Sequence, residues 1–397
     1  MSFKDIEFVE YRCTLTPLTP IHIGSGNELS PFEYIVKNGY FYKICTSDII
    51  DKFPENMKLE FIKILESRNM FKSREFIKNN YKEEYGYEYK AKVSQDFKEL
   101  YERKIGGAGN KNEENQLGVG EFIGSFNGKF IPGSTIKGAL RTAYLNGEFS
   151  ESHYYQLTRN KNLKTKPFQL LIGKRVANKR EGISVAHQKE ANILGLNSER
   201  LEPKFDPFKF FRVTDTEVVQ DMIEVQKVVR KGMKNGKAFP MPVGQKEVTK
   251  SLLGSGDELK LKFNISIKNL GKKADNYIAV SKLRGTDTYI VKETTEFYLD
   301  TIFQSLNDKA TKMLDEDIKF LEKIYDQKAV DTCKRLQKIL GSLDSEREAL
   351  IRFGQGAGFN STTFNLVNQK VESVGTRVTV DDLPIGWALI TCEEVDK

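Results

Sequence analysis

Residues 130–145 (FIPGSTIKGALRTAYL) constrain this chain more than any other stretch. Two apolar residues end a strand pattern, and Pro132-Gly133 breaks it. A new pattern then begins with the 3.6-residue period of a helix. Ile136, Ala139, Leu140, Ala143 and Tyr144 fall in one arc, which must face a core. Ser134, Lys137, Gly138 and Arg141 fall in the opposite arc. Ser134 or Thr135 is placed to cap the helix. A hydroxyl, two cations and a bare glycine therefore line the first turns of a helix, on the side where its free N–H groups and positive dipole end can meet an anion. A phosphodiester fits that description. So does an ordinary capped amphipathic helix with an exposed Lys/Arg pair, and spacing alone does not separate them. A Walker A loop is excluded, because Gly138 is followed by Ala139-Leu140 and not by Lys-Ser/Thr.

The rest of the chain reads as alternating short strands and helices. Residues 8–15 alternate and are rich in β-formers. Asn38-Gly39 stands between two apolar runs and predicts a hairpin. Residues 47–80 carry a helical pattern, 210–219 and 259–267 read as strands, 292–340 as two charged helices and 386–391 as a closing strand. Sheets assembled from non-consecutive strands, with helices on one face, predict an α+β fold. It fits two tandem ferredoxin-like (RRM-like) domains better than a doubly wound sheet. At 397 residues two domains are in range. The pattern resets near residue 205, so the division is placed as 1–215 and 216–397, with helical inserts at about 47–120 and 292–342.

Charge points to a polyanion. Lysine plus arginine number 62 against 55 acidic residues, a net +7, which permits a nucleic acid partner without requiring one. Distribution says more. Residues 152–180, which include Lys174 and Arg175, hold eight basic residues and no acidic one. Residues 226–250 hold seven basic residues and one acid, Glu247. Aromatics or glycines interleave both stretches, which favours a polyanion partner over a merely solvated surface. Two further glycine segments can bring backbone N–H groups close to phosphates: Gly24-Ser25-Gly26, and Gly354-Gln355-Gly356-Ala357-Gly358. The second lacks GxGxxG spacing, which rules out a dinucleotide site.

The four cysteines are far apart and form no CxxC pair, which predicts free thiols in a reducing cytoplasm. The N-terminus is too polar for a signal peptide, and no run of about 18 apolar residues spans a membrane. No metal-ligand spacing appears, and no cofactor is implied. Of the three histidines, His22 lies beside the first glycine segment and is the one candidate for metal-independent ribonuclease chemistry. A hydrogen-bonded packing role at a strand end is the competing reading. Residues 231–244, centred on Asn235-Gly236, read either as a hairpin that presents Met233, Phe239 and Met241 or as a disordered basic loop.

Taken together, TPLTPIHIGSG (16–26), IPGSTIKGALR (131–141) and FGQGAGF (353–359) resemble the RAMP superfamily of CRISPR effector subunits. Their order, and FDPFKFFRVTD (205–215) between the halves, are most similar to the terminal RAMP subunit of type III-A complexes. The resemblance covers about residues 11–392. It implies RRM-like domains that hold the 3′ part of a guide RNA, cap the filament of stacking RAMP subunits and support guide maturation in antiviral defence. Guide contacts would carry over to Gly133, Ser134, Lys137, Gly138 and Arg141, and to the two glycine loops. Recruitment of a trimming nuclease is left open. In the stacking subunit an aspartate in the loop after the first strand cuts target RNA. The similar stretch here, 27–32, has Leu29 at that position, and the adjacent Glu28 would point elsewhere. The resemblance therefore implies no catalytic residue, and an RNA held instead of cut.

Overall fold

The computed structural model describes residues 8–107, 117–148, 190, 193–194, 206–234, 237–268, 297–363 and 376–395. Its fold is α+β. One sheet of five antiparallel strands runs in the order β13 (Glu348–Arg352), β16 (Trp387–Glu394), β1 (Phe8–Pro17), β12 (Leu261–Lys268), β9 (Phe211–Val213). A larger mixed sheet runs β2 (Gly24–Leu29), β6 (Val119–Phe122), β11 (Lys237–Thr249), β10 (Ile223–Lys234), β5 (Tyr89–Val93), β4 (Tyr40–Lys43), β3 (Tyr34–Lys37). To it, β14 (Thr376–Val380) adds along β10, and β15 (Leu383–Pro384) pairs with β14. A third, two-stranded ribbon joins β7 (Gly124–Ser125) to β8 (Gly128–Lys129).

Both large sheets draw strands from either side of residue 215. The N-terminal β1 lies between β16 and β12, in register from Phe8↔Lys268 to Leu15↔Leu261 and from Tyr11↔Glu394 to Pro17↔Ala388. A linear division into 1–215 and 216–397 therefore does not describe how strands are shared. The physical reason is that β1 satisfies its two edges only by pairing with segments some 250 and 380 residues further on. The stretch 47–120 likewise is more than a helical insert. It holds α1 (Thr46–Asp51), α2 (Glu55–Glu66), α3 (Met70–Asn80) and α4 (Gln95–Lys104), but also β5 and β6 of the larger sheet.

Local chemistry explains most elements. Asn38 and Gly39 take φ of 54° and 79°, the left-handed pair a tight hairpin requires, and β3 and β4 close on them. The β3 side chains then alternate. Tyr34 and Val36 pack with Phe97 and Tyr101 of α4, while Ile35 packs with Phe53, Phe61 and Phe76 of α1–α3. The helical stretch 47–80 divides at Pro54 and Asn69, and the Asn69 side chain caps α3 by accepting from the Lys72 N–H.

Helix α5 (Gly133–Gly147) buries Ile136, Leu140 and Ala143 against the five-stranded sheet and the start of α6 (Leu299–Lys323). The rest of α6 and α7 (Gln327–Leu340) form a second core with Leu18, Leu350 and Trp387. Alternation along β13 divides it between the two cores, with Ala349 and Ile351 in the first and Leu350 in the second. The strand is shorter than expected at 210–219, where Phe211–Val213 pairs and Val219 makes a single bridge to Lys129. Asp206 caps a short turn ahead of it by accepting from the Phe208 N–H.

Two of the four cysteines depart from the free-thiol reading. Cys13 and Cys392 are directly opposite in the β1–β16 pair, 4.1 Å apart at Cα, and form a disulfide. Register, invisible in their sequence separation, brings them together. Cys45 and Cys333 are free. Among the described residues no helix is long and apolar enough to cross a membrane.

A buried charge group joins the second core to the sheet edge. Asp317 of α6, 2% exposed, accepts from Arg352 Nη1 at 2.6 Å and from Arg377 Nε. Removing one member of such a group strands the others. Asp317→Ala should destabilise the protein by about 3–5 kcal/mol, read as a lower urea midpoint at unchanged m-value.

Candidate nucleic-acid interface

The start of α5 is fixed from outside the helix. Neither Ser134 nor Thr135 caps it, and no side chain of the helix does. Instead the Gly133 N–H donates to Asp215 Oδ1 at 2.7 Å. A Cβ at Gly133 would come within 2.4 Å of the Val213 carbonyl oxygen and 2.5 Å of that of Thr214. Gly133 is therefore glycine so that the 213–215 backbone can lie against the helix, and its N–H already has an acceptor. That corrects its reading as a free phosphate donor.

Further along the helix the predicted residues separate. Ser134 and Gly138 are exposed, and nothing lies within 4 Å of a Cβ built at Gly138. Lys137 is partly buried and makes no ion pair among the described residues. Burial lowers its pKa, and the neighbouring Arg141 and Arg212 act in the same direction, while Asp206 opposes. Arg141 is not a free cation. It pairs with Glu190 at 2.8 Å and Asp206 at 3.2 Å and lies over the Phe208 ring. The i, i+4 spacing that put it beside Lys137 could not reveal two carboxylates brought from outside the helix.

The other two glycine segments meet in space. The Gln355 N–H donates to the His22 carbonyl at 2.8 Å, and a Cβ at Gly354 would come within 2.8 Å of that same oxygen. Gly354, Gly356 and Gly358 have φ of 87°, 93° and 92°, conformations that exclude most side chains. Gly24, Gly26, Lys246 and Gln355 line an open cleft of about 440 Å³ with His22 and Glu28. Lys246 Nζ donates to Gln355 Oε1 at 2.7 Å, which ties the last segment to β11. From there the chain runs on to Thr363, whose hydroxyl meets that of Thr142 on α5 at 3.2 Å. Thus the first and last glycine segments share one cleft, and α5 touches the chain just beyond the last of them. Lys174 and Arg175 lie outside the described residues.

What organises the cleft is a residue that sequence reading counted only as an acid, Glu247. It is fully buried. Its carboxylate accepts from the Phe122 N–H at 2.7 Å, from the Tyr89 hydroxyl, and pairs with Lys129 at 3.3 Å. Burial raises its pKa, against the pull of Lys129 and the hydrogen bonds. Its carbonyl accepts from His22 Nδ1 at 2.6 Å. Lys129 also reaches Glu121, which accepts from the Ser25 hydroxyl at 3.0 Å and holds Asn27. So Ser25 already hydrogen-bonds a carboxylate. The signal for Glu247 was present in the sequence as the one acid in a basic stretch.

His22 is 2% exposed, and burial pushes its pKa down to about 4, with Lys246 adding to the shift. With Nδ1 donating to Glu247, it is a neutral packing residue at the base of the glycine segment. That favours the packing reading over a nuclease base. Leu29 is buried in the core with Val119 and Phe97, while Glu28 is exposed on the cleft side, as strand alternation requires. The hairpin at 231–244 forms from β10 and β11, paired up to Lys234↔Lys237. Met233 and Met241 are exposed, and residues 235–236 lie outside the description. Its base is anchored by Lys231 to Asp326 and Asp382 (2.5 Å to the latter). Among the described residues no three His, Cys, Asp or Glu side chains converge as metal ligands.

Residues 14–359 match the RAMP superfamily. A protein of Methanocaldococcus jannaschii described as "CRISPR system Cms protein Csm5" is 23% identical over 360 residues, 90% of this chain and 73% of that protein. The fold superposes on a chain of a Csm–crRNA–target RNA ternary complex of a type III-A CRISPR-Cas system, with TM-score 0.63 and 19% identity. The match covers 96% of this chain and all of that one. It superposes equally on T. onnurineus Csm5, with TM-score 0.62 and 19% identity over 95% of this chain and 99% of the other.

Gly133→Ala should cost about 1–3 kcal/mol by urea denaturation, because backbone and not a flexible side chain occupies the Cβ position. Gly138→Ala should be neutral or stabilise by up to about 1 kcal/mol. For His22 the folded pKa of about 4 lies below the unfolded value of about 6.5. Between them the unfolded chain binds the extra proton. Stability from this group is therefore complete above pH 6.5 and falls as pH drops towards 4, by roughly 3 kcal/mol. Urea midpoints across that window should fall less steeply for His22→Asn.

Proposed function

This chain belongs to the RAMP superfamily, and we propose that it is a guide-RNA-binding subunit of a type III-A CRISPR effector complex that holds RNA without cutting it. The observation that carries this reading is the meeting of the first and last glycine segments at one open cleft edged by Lys246, with α5 touching the chain just beyond the last segment at Thr142–Thr363. Exposed backbone at Gly26, Gly138 and Gly358, where nothing lies within 4 Å of a Cβ, lets a sugar–phosphate chain approach closely. Contacts of this kind are sequence-tolerant, as a carrier of variable guides requires.

The type III-A relatives supply the remainder of the proposal. The chain caps the backbone filament at the 3′ part of the guide, beside the stacking RAMP subunit, and supports guide maturation in the cytoplasm. Guide contacts are assigned to Gly24–Gly26, Ser134, Lys137, Gly138, Gln355, Gly356 and Gly358, with Lys174 and Arg175 as further cations. Lys246 replaces Arg141, whose charge is already spent on Glu190 and Asp206. The 231–244 hairpin is assigned to wedge between nucleotides through Met233 and Met241. Non-catalysis rests on Leu29 lying in the core and His22 being buried and neutral.

Lys137→Ala and Lys246→Ala should leave the melting temperature within a few degrees of wild type and weaken binding of single-stranded RNA. Each should lower the slope of log K against log[salt] by roughly 0.7. Fluorescence anisotropy across a salt series reads both quantities. Unchanged affinity and slope in the double variant would remove the proposed surface.

A further inference from the structure

Lys309 lies inside α6 with 8% of its surface exposed. Its ammonium donates to one acceptor, the Ser361 carbonyl, at 3.2 Å. No carboxylate pairs with it among the described residues. An ammonium carries three donors, and a buried charge without a counter-ion is costly. Burial alone lowers its pKa to about 8, which leaves it charged at neutral pH. Ala139, Leu306, Ala310, Met313 and Trp387 surround it. Arg352, which lines the same void, is paired with Asp317 at 2.6 Å. The void beside it, about 10 Å³, has room for one water at most. An anion that balances Lys309 must therefore come from the side of Ser361.

On that side two predicted RNA-facing segments meet. Ser361 follows Gly358, which has φ of 92° and nothing within 4 Å of a Cβ. Thr363 meets Thr142 of α5. One turn earlier on α5, Gly138 is equally bare, and Ala139 lines the same small void as Lys309. Two open glycine backbones thus lie on the segments that meet beside Lys309, whose ammonium pairs with no carboxylate among the described residues. We propose that a phosphate of a bound RNA strand sits against these two segments and that Lys309 is its counter-charge. The inference rests on the RNA-holding reading and adds to it a cation from the α6–α7 helical segment, which neither the motifs nor the family resemblance assigned to RNA.

Lys309→Met keeps the length of the side chain and removes the charge. Full-length Lys309→Met should melt above wild type, by roughly 2–4 °C, because a buried unpaired charge is gone. It should also bind fluorescent single-stranded RNA several-fold more weakly, with the salt slope reduced by roughly 0.7. Lys309→Arg should keep most of the slope. A lower melting temperature with an unchanged slope would mean that Lys309 merely ties down Ser361, and would overturn the proposal. Lys246→Ala is measured alongside. Weaker binding in that variant with wild-type binding in Lys309→Met sinks this inference and leaves the RNA reading standing. Wild-type binding in both sinks both.

Discussion

Strand β1 is the constraint on which the rest depends. It has two edges to satisfy, and it satisfies them with β12 and β16, the latter near the far end of the chain. Only when these meet do Leu15, Phe263, Ile265 and Ile390 form a face for α5 and α6. The strand then runs directly into Thr19, His22 and the first glycine segment. The same closure carries the 353–358 segment to His22, since β13 pairs with β16 and β16 with β1. Long-range pairing of this kind is slow to form and cooperative once formed. It makes the interface a property of the whole chain and not of one domain.

A second theme is the division of labour among charges. Three carboxylates are used for architecture. Asp215 holds the start of α5, Glu247 holds Tyr89, Lys129 and the Phe122 backbone, and Asp317 holds two arginines. Each neutralises a cation or a row of N–H groups that would otherwise seem available to RNA. Arg141 and Lys129 are spent in this way. Lys137, Lys246 and Lys309 pair with no carboxylate among the described residues, and Lys246 lines the glycine cleft. Cation count in a motif is therefore a poor guide to its phosphate-binding capacity. The pairing of each cation decides it.

The sequence by itself determined the local elements. Asn38-Gly39 dictated a hairpin because few residues tolerate two left-handed conformations in succession. Pro132-Gly133 and the 3.6-residue period dictated α5 and its buried face, and strand alternation dictated that Leu29 and Glu28 part company. The motif order was sufficient to indicate the superfamily. Tertiary structure alone decided the rest, for a common reason: these features depend on which residues lie opposite one another across hundreds of positions. Register joined Cys13 to Cys392 and merged strands from both halves into shared sheets. Packing brought Asp215 to cap α5 in place of Ser134, took Arg141 out of play, and buried Lys309 beside Ser361. Helical period and turn chemistry are local and can be read from neighbours in sequence. Charge pairing and burial are properties of neighbours in space.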